Sequence, residues 1–298
     1  MQIRAHINPG DIGYMISYRF LTNDDCAALY QCFLAAFSDY LVDMRTTAEQ
    51  FAQRLTRDGV EFELSAGGFV ADEMIGFYMN GLGSWQGIPT IYDAGTGVVR
   101  EHRRKGVAQA LFNFMLPRLR AFGLNQYLLE VLSNNDPAVK LYRRLGFQES
   151  RSLAVFRSHA ALKPDKRAPG VEIREIENPD WGLYQTFWDG YPSWQNSIAA
   201  INRLTGGRFI AGAFTADECV GYGAMTPATG NVLQLAVANG HRRKGVGSMI
   251  LATLQQQVSS GEPLKVNNID FELTSAVAFY EASGFKLALS QYEMLKQL

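Results

Sequence analysis

Only three cysteines occur in the 298-residue chain, Cys26, Cys32 and Cys219, and their spacing fits neither a disulfide framework nor a metal knuckle. A reduced compartment is therefore expected, with a cytoplasmic location and no metal. No apolar run approaches the ~20 residues that a membrane-spanning helix needs. Met1 to Phe20 also lacks the basic flank, apolar core and small-residue cleavage site of an export signal, so no membrane partner is expected. Net charge is scarce as well. A formal balance of −1 excludes affinity resting on a broad basic surface, and no nucleic-acid partner is expected. With 47% hydrophobic and 19% charged residues, the composition is globular and leaves no room for a long disordered tail.

What the chain does contain is a repeat. His102 to Val107 and His241 to Val246 are the same hexamer, His-Arg-Arg-Lys-Gly-Val, 139 residues apart. Each copy has a downstream companion, Leu141-Tyr142-Arg143-Arg144-Leu145-Gly146-Phe147 in the first half and Phe279-Tyr280-Glu281-Ala282-Ser283-Gly284-Phe285 in the second. The step from loop glycine to tyrosine is 36 residues in one half and 35 in the other. Two motifs at matched spacing indicate a duplication, and the length suits two ordinary domains.

Periodicity gives each half the same order of elements. The first half reads as a strand from about Ser17, a helix start at Thr22 to Asp25, and a second helix opened by a capping box at Thr46 to Glu49. Strands follow at about 62–71, 74–82 and 90–99. A helix opens at Gly106, and Pro117 is expected to kink it or end it early. A strand at 127–132 and a helix capped by Asn135 and stopped at Gly146 complete the half before a final strand. Lys163 to Gly170, charged and proline-flanked, is the best linker. The order restarts at Val171, with a cap signal at Asn178-Pro179. The expected division is a domain at 1–160, of which 1–15 is an arm, a linker at 161–170 and a second domain at 171–298.

Arg103-Arg104-Lys105-Gly106-Val107-Ala108 lies between a strand end and a helix start. Helix N-termini present unpaired N–H groups and a positive dipole end, so a phosphate there gains several donors together. Small residues at Gly106 and Ala108 allow close approach. In the second copy these are Gly245 and Gly247, with Arg242, Arg243, Lys244 and Val246 alongside. A pyrophosphate-bearing ligand is the natural occupant. The spacing is neither that of a nucleotide-triphosphate P-loop nor that of a dinucleotide fingerprint.

These residues resemble the GNAT N-acetyltransferases, and specifically their tandem forms. The family's R/Q-x-x-G-x-G/A loop is matched by Arg103, Gly106 and Ala108 and by Arg242, Gly245 and Gly247. Leu235 to Arg242, with Val237, looks like the strand leading into it; Val98 and Val99 hold that place in the first half. Asn135-x-x-Ala138-x-x-Leu141-Tyr142-x-x-x-Gly146-Phe147 is similar to the family's later motif, and the second half departs from it at Leu273, where the first has Asn135. The resemblance covers both halves, most strongly 96–147 and 235–285. It implies an α/β protein of two tandem GNAT folds, each a mixed central sheet flanked by helices.

It further implies acetyl-CoA as cosubstrate and direct acetyl transfer to a small-molecule or peptide amine, the molecule being a monomer or homodimer. Backbone N–H groups near Val98 or Val99 are the expected oxyanion donors. Tyr142, with Tyr280 as its counterpart, is the expected acid toward sulfur, and Asp93 and Glu130 are the candidate bases. Phe37, Asp39 and Tyr40 are expected to line the acceptor pocket. Retention of both Asn135 and Tyr142 favours the first half for catalysis. A non-catalytic acyl-CoA sensor or scaffold is the alternative, and a peptidyl transferase using aminoacyl-tRNA is a third reading, disfavoured by the charge balance.

Overall fold

The computed structural model describes residues 3–5, 15–158, 162, 168–259 and 262–298. Most of the expected linker, 161 and 163–167, and most of the expected arm lie outside the described residues. The chain divides into unit 1, Met1–Ser150 with Glu293–Leu298, and unit 2, Arg151–Tyr292. This division does not follow a cut at the linker. Residues 151–158 fall in the second unit and 293–298 in the first, because strand pairing sets unit membership.

In unit 1 the chain forms β1 (Ile3–Ala5), β2 (Ile16–Phe20), α1 (Cys26–Ala36), α2 (Ala48–Asp58), β3 (Ala66–Val70), β4 (Glu73–Trp85), β5 (Ile88–Val98), α3 (Val107–Ala121), β6 (Gln126–Leu132) and α4 (Asp136–Arg144). The strands pair in chain order, antiparallel throughout except for the parallel β5–β6 pair. Adjacent β4 residues show where the helices lie. Phe77 packs against Phe33 and Phe37 from α1, whereas Tyr78 packs against Phe112 of α3. Successive strand side chains point to opposite faces, so α1 and α3 cover opposite sides of the sheet. Phe51 brings α2 onto the α1 face, and Tyr142 brings α4 onto the α3 face through Phe147.

Unit 2 takes residues 151–158 of β7 (Gln148–Ser158), then β8 (Val171–Glu175), α5 (Trp181–Gln185), α6 (Ile198–Arg203), β9 (Phe209–Thr215), β10 (Glu218–Thr226), β11 (Asn231–Val237), α7 (Val246–Gln256), β12 (Leu264–Asp270), α8 (Thr274–Ala282) and most of β13 (Lys286–Gln297). Only β11–β12 is parallel among its described pairs β7–β12, β12–β11, β11–β10, β10–β9 and β9–β8. Tyr222 stacks on Tyr184 of α5, while the next residue, Gly223, faces Ile250 and Leu254 of α7. The face rule is that of unit 1. Each unit is the mixed sheet with helices on both faces that the sequence predicts.

Four local expectations need correction. The capping box is one residue later than Thr46 to Glu49: Thr47 caps α2, its Oγ1 accepts from the Gln50 N–H at 3.2 Å, and Gln50 Oε1 accepts from the Thr47 N–H at 3.0 Å. Glutamine serves as well as glutamate at that position. The cap of α5 is Asp180, whose carboxylate accepts from the Leu183 N–H at 3.0 Å, two residues beyond Asn178. Pro117 neither ends nor shortens α3, which continues to Ala121. Pro117 and Asn113 are both exposed, so the carbonyl that the proline leaves without a donor faces water, and buried Met115 and Leu119 hold the last turns. Finally, Phe62–Leu64 is a 3-10 turn, and the strand begins at Ala66.

The unit division has a consequence for truncation. Residues 293–298 bring Glu293 to Ser150, through bonds of 2.7 and 3.1 Å, and the Leu298 N–H to Asn125 O at 3.0 Å. They also contribute fully buried Met294. A fragment of residues 1–160 lacks all of these. It is expected to melt several degrees below unit 1 of the intact chain, or to be recovered only as aggregate; a fragment as stable as the full chain in thermal denaturation would contradict the division.

Candidate active site

The parallel pairing of β5 with β6 runs from Thr90↔Gln126 to Asp93↔Leu129 and stops, although β5 continues to Val98 and β6 to Leu132. The two strands part there, leaving a cleft whose apex is Asp93. A bulge at Ala94 sits beside it, since Met79 pairs with Gly95 but Asn80 with Asp93. Unit 2 repeats the arrangement. The β11–β12 pairing is confined to Asn231↔Lys265 and Val232↔Val266, with the β11 bulge at Leu233.

The β5 edge presents donors to the cleft. Val98 lies opposite Gly76, and the Val99 N–H donates to Ile75 O at 2.9 Å. That bond makes Gly76↔Val98 a narrow antiparallel pair, so the Val98 N–H points away from β4 and into the cleft. Val99 is thereby corrected: its N–H is held within the sheet and is no oxyanion donor. In unit 2 the Ala238 N–H donates to Val220 O at 2.9 Å, which turns the Val237 N–H outward in the same way.

Beyond β5 the chain makes a short turn and enters α3 through Gly106, whose φ of 79° is a left-handed conformation suited to glycine. Gly245, at φ 92°, does the same before α7. Arg104 and Arg243 both sit at φ 61°, backbone strain recurring at one position in each copy. Among the described residues no protein acceptor is recorded for the N–H groups of Lys105, Gly106, Val107, Ala108 and Gln109, nor for their counterparts Lys244 to Ser248. The Arg104, Lys105 and Arg243 side chains are exposed beside these donors, whereas Lys244 Nζ donates to Gly240 O at 2.7 Å. Five convergent N–H groups at a helix start, with free cations at the rim, fit a pyrophosphate.

Arg103 and Arg242 have a different duty from the one expected. Arg103 Nε donates to Val98 O at 3.0 Å, and its fork donates to Ala36 O at 2.8 Å and to the Asp39 carboxylate at 2.7 and 2.9 Å. Arg242 contacts Val237 O, Phe187 O and Asp189 in the same pattern, each at 2.8 Å. These guanidinium groups brace the loop against the strand and the end of the preceding helical segment, and they are already filled by protein acceptors. Asp39 is accordingly held below the usual carboxylate range by its bond to Arg103. It is part of the brace, and Phe37 belongs to an aromatic cluster with Phe33, Tyr40 and Phe77. Of the three expected acceptor residues, only Tyr40 places a polar atom near the cleft, where its hydroxyl accepts from Asn135 Nδ2 at 3.3 Å.

Asp93 and Tyr142 come together; Glu130 does not join them. The Tyr142 hydroxyl donates to Asp93 Oδ2 at 3.2 Å, Thr96 Oγ1 to the same oxygen at 2.6 Å, and the Gly95 N–H to Oδ1 at 2.9 Å. Burial raises Asp93 to about 6, against the lowering by these three bonds. Burial, and then the Asp93 charge, raises Tyr142 well above the ordinary phenol. Glu130 shares a face with Tyr92, whose hydroxyl donates to Glu130 Oε2 at 2.8 Å. Parallel register places that face opposite Asp93, so the two carboxylates flank the apex on the α1/α2 side and the α3/α4 side. Sequence reading missed Thr96, and the bulge between it and Asp93 leaves no periodic signal.

In unit 2 the hydroxyl survives without its surroundings. The bulge register aligns Asp93 with Val232 and Thr96 with Leu235, and Leu273 stands where unit 1 has Asn135. Tyr280 is raised by burial alone. A cavity of about 810 Å³ runs from Arg242, Gly245 and Gly247 past Tyr280 and Leu273 to Trp188. Among the described residues, no group of three or more His, Cys, Asp or Glu could hold a metal, and no helix is long and apolar enough to cross a membrane.

Residues 26–147 match the Acetyltransferase (GNAT) family and residues 207–287 the Acetyltransferase (GNAT) domain. An N-alpha-acetyltransferase of Sulfurisphaera tokodaii is 30% identical over 103 residues, which cover 30% of this chain and 62% of that protein. Among solved structures, a tandem GNAT protein from the clavulanic acid biosynthesis pathway superposes with a TM-score of 0.74 at 13% identity, covering 95% of this chain and 98% of its own. A putative acetyltransferase from Pyrococcus horikoshii reaches 0.70 at 17% identity, covering 98% and 93%. At such identities the superpositions speak for the fold alone. The two sequence matches take in more than half of the chain, one in each half, and the chain belongs to the GNAT acetyltransferase family, with two GNAT domains in tandem.

Proposed function

We propose that the protein is an acetyl-CoA-dependent N-acetyltransferase, that unit 1 carries the chemistry, and that the acceptor is a primary amine. The carrying observation is the Tyr142 hydroxyl, held by Asp93 at the apex of a cleft that opens between a strand-edge donor and a helix N-terminus with five free N–H groups. The name of the curated relative, N-alpha-acetyltransferase, favours an α-amine, as on a peptide.

Acetyl-CoA supplies an activated acyl group and a thiolate leaving group; the protein supplies position and protons. The N–H groups of Lys105 to Gln109, with Arg104 and Lys105, hold the pyrophosphate. The Val98 N–H faces the acyl carbonyl and stabilises the negative charge that develops on its oxygen. Glu130, on the α1/α2 face, accepts the proton that the attacking nitrogen sheds, directly or through one water. Tyr142 gives its proton to the departing sulfur from the other face. Amine and acid thus work from opposite sides of one sheet.

For unit 2 the proposal is cofactor binding without turnover. Its N–H cradle and cavity are intact, but Val232 and Leu235 replace the Asp93 and Thr96 that meet Tyr142, and Leu273 replaces the Asn135 cap. The alternative in which both units only sense acyl-CoA predicts binding with no amine-dependent release of thiol.

Calorimetric titration of acetyl-CoA into the full chain is expected to give two sites. Gly106→Glu should remove one of them, by charge repulsion and by forcing a side chain into a left-handed turn, and Gly245→Glu the other. Two unaltered sites in either variant would exclude the cradle assignment. In steady-state assays with short peptides bearing free N-terminal amines, Tyr142→Phe is expected to lower kcat about 100-fold, in the usual range for a lost general acid. Its KM for acetyl-CoA should change little, and Tyr280→Phe should leave kcat within about twofold. Wild-type kcat in Tyr142→Phe would make that hydroxyl structural.

A further inference from the structure

Asp93 was read from sequence as a candidate base, but the structure puts it behind Tyr142, away from Glu130 and Tyr92. It is only 7% exposed. Tyr78 faces it from β4, Thr96 from β5, Tyr127 from β6 and Tyr142 from α4. Tyr40 lies within its field. The cation that reaches this region is Arg54 of α2, which comes from the opposite face, donates to Ala94 O at 2.8 Å and is shared with Asp58. Asp93 is therefore ringed by hydroxyls and has no ion pair of its own among the described residues.

Burial without a counter-ion raises Asp93 to about 6 against the lowering by its hydrogen-bond donors, so the neutral acid is the major form below that value. A carboxylate accepting the Tyr142 hydrogen would turn that hydrogen away from the cleft and make the phenol a poorer donor. When Asp93 is protonated the same 3.2 Å contact reverses: the acid donates to the Tyr142 oxygen and leaves the phenol hydrogen for the cleft. The fold itself does not require the group, because Val232 occupies the same register position, just before the bulge, in unit 2.

Resting on the transfer reading above, we infer that Asp93 and Tyr142 form a proton relay in which Asp93, as the neutral acid, resupplies Tyr142 while Tyr142 protonates the leaving sulfur. The C–S bond breaks and its electron pair stays on sulfur. The Tyr142 proton forms the S–H bond, the Asp93 proton restores the Tyr142 hydroxyl, and Asp93 is left as carboxylate. Glu130 holds the proton lost by nitrogen. Exchange with solvent after product release returns that proton to water and reprotonates Asp93, so one amine and one thioester give one amide and one thiol. Asp93 touches no reacting atom and is a positioning and relay residue acting through Tyr142.

The test is Asp93→Asn, which keeps the shape and can accept from the Gly95 N–H and donate to the Tyr142 oxygen but cannot supply a proton. Its kcat against the peptide amines is expected to fall at least tenfold, with KM for acetyl-CoA within about twofold. Wild-type kcat should decline on the alkaline side as Asp93 ionises, and that limb should vanish in Asp93→Asn. Because both residues serve one proton path, Asp93→Asn combined with Tyr142→Phe should be no slower than Tyr142→Phe alone.

Stability gives a readout independent of turnover. Burial raises Asp93 from 3.8 to about 6, so between those values the native state binds more protons than the unfolded one, and stability falls as pH rises through that window. Asparagine escapes this loss. Asp93→Asn should match or exceed the wild-type Tm at pH 8, with the advantage shrinking toward pH 4. A kcat within twofold of wild type, an unchanged alkaline limb, multiplicative effects in the double variant, or a lower Tm at pH 8 would each overturn the relay. Absence of amine-dependent thiol release by the wild-type protein would instead defeat the transfer reading, and the Tm comparison would still report the protonation state of Asp93.

Discussion

Two neighbouring parallel strands stop pairing, and the site exists because they do. Past Asp93 and Leu129 the edges of β5 and β6 carry backbone donors and acceptors that no strand satisfies. In a sheet interior such groups are costly unless something meets them. The protein meets part of the demand itself: Arg103 covers the Val98 carbonyl, and the Asn135 side chain caps α4 at the far rim. The remaining N–H groups are the ones a carbonyl-bearing chain and a pyrophosphate can fill. The open cleft is thus a local failure of β pairing stabilised at both rims, and the bulge at Ala94 turns Asp93 to its apex.

The brace explains why the loop keeps its shape in both units. A bidentate guanidinium fixes direction as well as distance, which a lysine ammonium does not. Arg103 and Arg242 each join the strand carbonyl, a carbonyl at the end of the preceding helical segment, and an aspartate 64 or 53 residues away in sequence. Arg104 and Arg243, one position later, are left outward with φ at 61°. The arginines of one hexamer therefore divide into a structural brace and a cationic rim.

This division shows where sequence legibility ends. The duplication, the helix starts at Gly106 and Gly245, the Asn135 cap and the Gly146 stop could all be read because each rests on local backbone chemistry within a few residues. Asp39 and Asp189 as partners of the loop arginines could not, since that pairing exists only after the sheet has formed. Asp93 and Glu130 looked equivalent as strand carboxylates. Their separation onto opposite faces depends on the β5–β6 register, to which a one-residue slip would give the opposite answer. Thr96 sits three residues from Asp93 and still bonds to it, because the bulge breaks the two-residue alternation that otherwise places residues of odd spacing on opposite faces.

The second unit serves as an internal reference for the first. Both keep the narrow strand pair at the valine, the braced arginine, the left-handed glycine and the buried tyrosine, so these features belong to the shared scaffold. They differ where unit 1 has a buried carboxyl, Asp93, bonded to that tyrosine and to the Thr96 hydroxyl, and unit 2 has Val232 and Leu235 at those register positions. Burying a titratable group without an ion pair works against stability, and an aliphatic side chain at the same register position carries no such penalty. A buried carboxyl kept at that cost in one copy, and absent from a sister copy that folds without it, is not required by packing. By the same reasoning, unit 2 keeps the left-handed glycine, the braced arginine and the buried tyrosine, while Val232 and Leu235 stand where unit 1 has the carboxyl and hydroxyl beside Tyr142.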